Sequence, residues 1–372
     1  MLTTRLSAGC VLFAVSITGV ACASDTDDQT GARAVAPEPV VVADDLNGPM
    51  GILVEPDGTV WIVDSGVGGD QAVLTPDPVS RQLAEASFGL TSRIIRVDVE
   101  GGQTEFAHLP SLHVGGTAYG GARLAMLDGV LYATSGGWIE GSGDRQTNHS
   151  GVVRVDSSQV VEVVNTIEIE SGQNPDPAQR ETNPYGLTAG PDGMLWMTDA
   201  AGNTLYRVDP ESRSLELVTV FEALPGSVPN DARSGALEVE PVPTAVAFMD
   251  GEAYVSFLPG LPMAEGTAKV VRVSADGSVT DFATDLTRLT DLQTGPDGHL
   301  YAVSMGFPDG SGPGGAVIRI ARGSASVTVL TDLPLPTALA FDSRGDAYVA
   351  INGVGQPGSG RVLRFPGLVD VR

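Results

Sequence analysis

The stretch NPYGLTAGPDGMLWMTDAAGNTLYRVD, residues 183–209, predicts three short strands joined by a tight turn and a polar corner. Its segment Pro191-Asp192-Gly193 is typical of a tight turn, because proline presets φ and glycine tolerates positive φ. The runs 186–189 and 194–198 on either side are short and apolar, and turn-forming residues end them, as expected of buried strands. The stretch therefore predicts one part of an antiparallel sheet.

The same unit occurs six times along the chain. Aligned on the turn glycine, each copy has an aromatic residue three positions later and an arginine in a following apolar strand. The glycines are Gly58, Gly129, Gly193, Gly251, Gly298 and Gly345. The aromatic residues are Trp61, Tyr132, Trp196, Tyr254, Tyr301 and Tyr348. The arginines are Arg96, Arg154, Arg207, Arg272, Arg319 and Arg364. The repeat predicts an all-β protein, a six-bladed β-propeller of four-stranded blades, with the aromatic residues buried between blades.

The two ends of the repeat region predict how the ring closes. The last copy, 335–366, ends without an outer strand, whereas residues 40–45 resemble the outer strands of other copies. We therefore expect 40–45 to join the C-terminal blade, which would hide the edges that an open sheet exposes. Residues 40–372 then form one propeller.

The first 23 residues predict an export signal. Arg5 precedes a short apolar run, and small residues follow at Ala21-Cys22-Ala23. Either Ala21-x-Ala23 is cut by the ordinary signal peptidase, or Cys22 is lipidated as in a lipoprotein. Residues 24–39 are polar and acidic and predict a flexible linker.

The net charge of the chain limits the classes of molecule that it is expected to bind. The formal net charge is −25 and Lys269 is the only lysine, so a nucleic-acid-binding role is disfavoured. Electrostatic adhesion to anionic lipid is disfavoured too, which leaves a lipid anchor at Cys22 as the expected route to a membrane. We expect an exported monomer, secreted, periplasmic or anchored to the cell envelope, whose partner is a small molecule or a protein.

Loop lengths predict which face carries function. First-to-second and third-to-fourth strand turns are tight, whereas the second-to-third connections and the links between blades are long, as in 64–91 and 222–241. These two long types emerge on one face, and functional residues concentrate on such loops.

Several segments resemble the ScyD/ScyE family of NHL-type, TolB-like six-bladed propellers. They are NPYGL at 183–187, PDGMLWMTDAAGNTLYRVD at 191–209, VPTAVAF at 242–248, AYVSFLPGLPM at 253–263 and VLRF at 362–365. The resemblance implies an exported six-bladed propeller and implies no defined activity. Blade two departs from the family, because Arg123 stands near the place where relatives carry an acidic residue.

The inner strands predict a candidate site at the channel mouth. Their aligned positions are small except for Arg123 and Asp291, in opposite blades of a ring of six. These two charges are expected to face each other and to bind a small polar ligand; alternatively, water or local partners neutralise each one. The next layer of predicted ligand-binding residues is Tyr185, Thr244, Thr290 and Thr337.

A metal site is a second hypothesis. Six-bladed lactonases bind Ca²⁺ through carboxylate and asparagine oxygens, and the candidate oxygens here are those of Asp64, Asn183, Asp199 and Asn203, with Asp291. Asp64 and Asp199 end strands, however, where aspartate commonly caps a turn. His113 and His149 lack the spacing of a metal motif. No resident cofactor is therefore expected, and Ca²⁺ is the only candidate.

Three functions stay open at this point. The first is binding of a small molecule or protein on the loop-rich face, with no catalytic residue assigned. The second is a metal-dependent, lactonase-like hydrolase or lyase. The third is an envelope scaffold, which an exposed apolar patch around 257–263 would favour.

Overall fold

The computed structural model describes residues 37–77, 82–139, 146–167, 174–307, 309–323 and 325–369. The predicted signal 1–23 with Cys22, and most of the predicted linker 24–39, lie outside the described residues. Within the described ranges no helix is long and apolar enough to cross a membrane.

The described residues contain six antiparallel sheets of four or more strands. The chain begins with β1 (Val40–Leu46), which belongs to the sixth sheet. The first sheet consists of β2 (Pro49–Val54), β3 (Val60–Asp64), β4 (Gln71–Pro76), β5 (Leu83–Val97), β6 (Gln103–Val114) and β7 (Thr117–Tyr119). Next come β8 (Gly121–Leu127), β9 (Val130–Ser135), β10 (Trp138–Ile139), β11 (Gly151–Val155) and β12 (Val160–Asn165), all but β10 in the second sheet.

The third sheet follows β13 (Glu181–Thr182), which pairs with β10, and consists of β14 (Pro184–Ala189), β15 (Leu195–Asp199), β16 (Thr204–Asp209) and β17 (Ser214–Val220). A separate hairpin then has β18 (Leu224–Asn230), a 3₁₀ turn (Asp231–Arg233) and β19 (Ala236–Val239). The fourth sheet consists of β20 (Pro243–Met249), β21 (Glu252–Phe257), β22 (Ala268–Val273) and β23 (Val279–Leu286). The fifth consists of β24 (Leu289–Thr294), β25 (Leu300–Ser304), β26 (Gly315–Ile320) and β27 (Val327–Leu333). The sixth consists of β28 (Ala338–Phe341), β29 (Ala347–Ile351), β30 (Gly360–Phe365) and β1.

The first strands of these sheets surround a common axis. Strands β2, β8, β14, β20, β24 and β28 contact one another in that order, and β28 contacts β2. A ring of twisted antiparallel sheets with their first strands innermost is a β-propeller. The predicted propeller fold is confirmed.

Ring closure occurs where the sequence predicted it. Strand β1 pairs antiparallel with β30, with Val40 opposite Arg364. Ala43 and Leu46 are buried in the same cluster as Tyr348 and Val362, so β1 completes the sixth sheet and its core. Both ends of the propeller are therefore held in one blade.

The aromatic residue and the arginine of each repeat are cross-strand partners. In all six sheets they lie directly opposite each other, as Trp196 lies opposite Arg207 in the third. Every one of the six aromatic side chains is buried. The guanidinium groups of Arg96 and Arg207 lie over the ring, and those of Arg207, Arg272 and Arg364 reach an acidic residue. The repeat is thus a packing unit, since a buried ring and its arginine fill the space between blades.

The first blade differs from its prediction. The segment 64–91, expected to be a long loop, contains β4 and the beginning of β5, and β7 is a further strand of the first sheet. The reason is period-two patterning, which buries Ala86 and Phe88 against Leu112 and Val114. This hairpin extends the first blade on the loop-rich face.

In five sheets the pairing of the first strand is irregular where that strand reaches the loop-rich face. Pairing with the second strand skips residues near the beginning of β2, β8, β14, β20 and β24. The skipped positions are Met50, Ala122, Arg123, Tyr185, Gly186, Thr244 and Thr290. Such bulges re-aim side chains, and here they direct several of the predicted site residues toward neighbouring blades.

Candidate functional site

The two charges predicted at the channel mouth meet at the propeller axis. Arg123 and Asp291 are 3% and 1% exposed, and Arg123 Nε lies 3.5 Å from Asp291 Oδ1. The other guanidinium nitrogens donate to backbone carbonyls of three further positions, Met50, Thr290 and Thr337. One side chain from the second blade therefore contacts the first, fifth and sixth blades.

Both carboxylate oxygens of Asp291 also accept hydrogen bonds. Its Oδ1 accepts a hydrogen bond from the backbone N–H of Leu292 at 2.9 Å, and its Oδ2 accepts one from Leu339 at 2.8 Å. Burial raises the pKa of Asp291, against the opposing effects of the Arg123 charge and these two N–H groups. The Tyr185 ring covers Arg123, with the guanidinium carbon 4.7 Å from the ring centroid. The pair closes the channel as a cross-link between blades.

The three threonines predicted beside this pair also join blades. Thr244 donates its hydroxyl to Leu289 at 2.9 Å, Thr290 to Pro336 at 3.2 Å and Thr337 to Pro49 at 2.6 Å, in each case to the carbonyl of the next blade. All three side chains are buried. These contacts link the fourth, fifth, sixth and first blades in a row around part of the axis, and they favour a structural role over the predicted ligand contact.

The two aspartates of the metal hypothesis have protein partners. Asp64 forms an ion pair with Arg93 at 2.7 Å and accepts the backbone N–H groups of Asn47 and Arg93. Asp199 Oδ1 accepts three backbone N–H groups, those of residues 183, 201 and 202, and its Oδ2 accepts the Thr182 hydroxyl. Burial raises the pKa of both carboxyls, and the hydrogen bonds oppose that effect. Both aspartates act as caps for strand ends.

Asn203 belongs to a buried polar network that the sequence did not reveal. Its amide nitrogen donates to Asp176 at 3.0 Å and to Glu240 at 2.7 Å. Arg233 pairs with the same two carboxylates at 2.6 Å each, and Asn230 donates to Glu240. The acids are far apart in sequence and meet only because the β18–β19 hairpin lies over the link that leads into the third blade. The network fixes this hairpin to the propeller.

These side chains do not fit a Ca²⁺ site. Calcium needs six to eight oxygen ligands, whereas the oxygens of Asp64, Asp199 and Asn203 already accept hydrogen bonds from the protein. In the described ranges no group of three or more histidine, cysteine, aspartate or glutamate side chains is arranged to hold a metal ion. Among the four residues of the metal hypothesis, all of which the structure describes, Asn183 alone borders open space.

A cavity of about 550 Å³ lies beside the closed axis on the loop-rich face. Loops at the tops of the first, second, third and sixth blades line it, and many of their residues are glycines, including Gly48, Gly116, Gly120 and Gly353. Its volume is within the range of small-molecule sites. Met50, Ala122 and Tyr185, residues at or next to the contacts of Arg123, also line it, so the sealed axis adjoins the cavity.

Two of the polar side chains that line this cavity are at least partly buried and have no hydrogen-bond partner among the described residues. Asn183 is only 8% exposed, and its side-chain amide makes no hydrogen bond within the described chain. His113, on β6, is half-buried and is likewise without a hydrogen bond there. Both side chains face the open space of the cavity, so their polar groups are free to bond to a ligand or to water. Asn183 is therefore the polar group best placed to hold a ligand there.

The segment 257–263 does not provide the exposed patch that would favour a scaffold. Phe257, Leu258 and Met263 are buried, and Phe257 packs edge-to-face with Phe221 at 5.0 Å. The loop thus belongs to the core beside the fourth blade.

Comparisons with known proteins give the fold. No protein-family model matches the chain, and no curated protein sequence matches it. Among solved structures, a proposed oxidoreductase (glucose dehydrogenase) from Thermus thermophilus is 20% identical with a TM-score of 0.54, over 88% of this chain and 99% of that one. A gluconolactonase from Xanthomonas campestris is 13% identical with a TM-score of 0.53, over 90% and 91%. At these identities the structural likeness shows the β-propeller fold and no activity.

Proposed function

We propose that this protein is an exported β-propeller that binds a small molecule in the cavity beside its axis. The single observation that carries the proposal is the side-chain amide of Asn183, which lines the cavity and has no partner in the described chain. The axis itself is a poor candidate, because the charges of Arg123 and Asp291 pair with each other and the threonine hydroxyls beside them donate to carbonyls of the next blade. Binding therefore belongs beside the channel mouth rather than in it.

The wider setting is proposed on the sequence. Residues 1–23 support export, with Cys22 as the attachment point if the protein is a lipoprotein. The six repeats support six blades, and the motifs at 183–209 and 242–248 support a relationship to the ScyD/ScyE family. The net charge of −25 supports a monomeric protein that does not bind nucleic acid.

Hydrolysis is the alternative. Its support is the fold that this chain shares with the Xanthomonas campestris gluconolactonase. The metal-binding version has no support from Asp64, Asp199 or Asn203, whose oxygens the protein already uses. Any ester or lactone that binds should therefore be assayed for acid release with and without added Ca²⁺.

The test is a thermal-unfolding screen of small uncharged molecules with a matched pair of variants. Ala118 lines the cavity, so Ala118→Trp fills it, whereas Ala264→Trp adds the same side chain to an exposed loop of the same face. A compound at about 100 times its Kd adds about 2.7 kcal/mol to the stability, which a melt resolves. Compounds that stabilise the wild type should also stabilise Ala264→Trp and should lose their effect on Ala118→Trp. Equal stabilisation of all three proteins, or no stabilisation by any compound, would overturn the proposal.

A further inference from the structure

We infer that the cavity selects an uncharged molecule and rejects the carboxylate of the same size. This inference rests on the proposed binding function and adds the chemical class of the ligand. Three features of the cavity support it. Its described walls carry no acidic side chain, lysine or arginine, the nearest arginine already has its partners, and two polar side chains in the walls have none among the described residues.

Among the described residues, the cavity walls have no acidic side chain, no lysine and no arginine. The polar side chains there are neutral amides and hydroxyls, with His113 as the one imidazole. Apolar side chains such as Met50, Val67 and Leu335 complete the lining. This composition is unusual for a chain with a net charge of −25 and 46 acidic residues. An ionic ligand placed here would lose water without gaining a counterion on the walls.

The nearest guanidinium does not change that conclusion. Arg123 lies behind Met50 and Ala122, both of which line the cavity. Its terminal nitrogens already donate to four backbone carbonyls, and Asp291 balances its charge. It is 3% exposed, so it cannot turn toward a ligand without breaking the cross-link at the axis. The overall negative charge of the protein further disfavours an anion at this mouth.

The side chains without partners match a neutral ligand. The Asn183 amide offers two N–H donors and a carbonyl acceptor, and the His113 imidazole offers a further nitrogen. The two come from different blades and line one cavity. An ideal Cβ at Gly137 would lie 3.1 Å from Asn183 Oδ1, so glycine at this position leaves room for the amide. An amide, a sugar or a hydroxylated lactone both donates and accepts hydrogen bonds and so satisfies Asn183 in both senses, whereas a carboxylate group can only accept.

The experiment compares matched pairs of probes: benzamide with benzoate, 2-naphthamide with 2-naphthoate, and galactono-1,4-lactone with galactonate. Each is titrated by calorimetry into the purified protein at one pH and ionic strength. The neutral member of a pair should bind, and its carboxylate should bind roughly tenfold or more weakly, which corresponds to about 1.4 kcal/mol. A carboxylate that binds as tightly as its neutral partner would overturn the charge selection and leave the binding function standing. Failure of all six probes to bind would overturn both.

A charge-insertion variant tests the cause. Gln356 lines the cavity on an exposed turn, so Gln356→Lys places an unpaired cation at the wall without disturbing the core. Gln159, exposed on the β11–β12 turn of the opposite face, provides the control Gln159→Lys with the same change in net charge. Gln356→Lys should tighten carboxylate binding several-fold while Gln159→Lys leaves it unchanged. An equal effect of both substitutions would show that net charge, and not the composition of the walls, excludes anions.

Discussion

The propeller axis and the cavity beside it lie next to each other on the same face, and they differ in how their polar groups are satisfied. At the axis, Arg123 and Asp291 neutralise each other, and each also bonds to the backbone of another blade. In the cavity, Asn183 is buried without a hydrogen bond in the described chain. A buried charge that is paired with its counterion is part of the scaffold, whereas an amide that faces a cavity without a protein partner indicates where a ligand binds.

The largest expected loss of stability follows from a substitution at the axis. Arg123→Met leaves the Asp291 carboxylate buried without its counterion, so the unfolding free energy should fall by about 3–5 kcal/mol. Chemical denaturation measures the loss, with Arg361→Met, at an exposed site, as a control that should change little. Adding Asp291→Leu to Arg123→Met removes both charges and should recover most of the stability. A loss below about 1 kcal/mol in the single variant would remove the distinction between axis and cavity.

A smaller effect on the unfolding free energy is expected from the threonines that join neighbouring blades. Thr337→Val deletes the hydroxyl that donates to Pro49 at 2.6 Å and should lower the unfolding free energy by about 1 kcal/mol. Thr280→Val, at an exposed position of β23, is the matched control and should be close to neutral. If both variants lose the same amount, the bonds between blades add nothing beyond the intrinsic effect of the substitution.

A still smaller effect on the unfolding free energy is expected from Asp199, and it should appear as a dependence on pH. Burial raises the pKa of Asp199 above its ordinary value of 3.8, so its contribution to stability is present below that pH and is lost as pH rises through the folded-state pKa. Asp199→Asn keeps an acceptor for the three backbone N–H groups and removes the ionisation. The stability of the variant relative to wild type should therefore increase as pH rises from about 4 to neutrality. A constant difference, or one of opposite sign, would show that the hydrogen bonds to Asp199 outweigh its burial.

The smallest effect on stability is expected in the cavity. Asn183→Ala removes a side chain that forms no hydrogen bond in the described chain, so the unfolding free energy should change by no more than about 0.5 kcal/mol. Binding of the uncharged probes should nevertheless be lost. A large loss of stability would instead assign Asn183 to the scaffold, together with Arg123.

The fold was predictable from the sequence because its signal is local. Each blade repeats a turn glycine, a buried aromatic residue and a cross-strand arginine within one continuous segment, and the missing outer strand of the last blade indicated the role of 40–45. The hairpin of the first blade was missed because its strands alternate between polar and small residues, a weak pattern until Phe88 and Leu112 pack together.

The site was only partly predictable, because it depends on contacts between distant segments. The sequence identified Arg123 and Asp291 as exceptional, but nothing in their spacing showed that they would satisfy each other. The cavity forms where loops near Gly48, Gly116 and Gly353 converge, and no repeat signal marks that convergence. The sequence pointed to Asn183 as a possible metal ligand through its side-chain carbonyl oxygen. Its importance lies instead in having no hydrogen-bond partner within the described chain, and only the folded structure shows this.

The central claim is that ligands bind in the cavity, and the methionine methyl groups test it most directly. Met50 lines the cavity, whereas Met263 and Met305 lie in the loops of the fourth and fifth blades on the same face. In a protein labelled with ¹³C at the methionine methyls, with Met50→Leu used for assignment, the uncharged probes should shift the Met50 signal and leave the other two in place. A shift at Met263 or Met305 with Met50 unchanged would contradict the account.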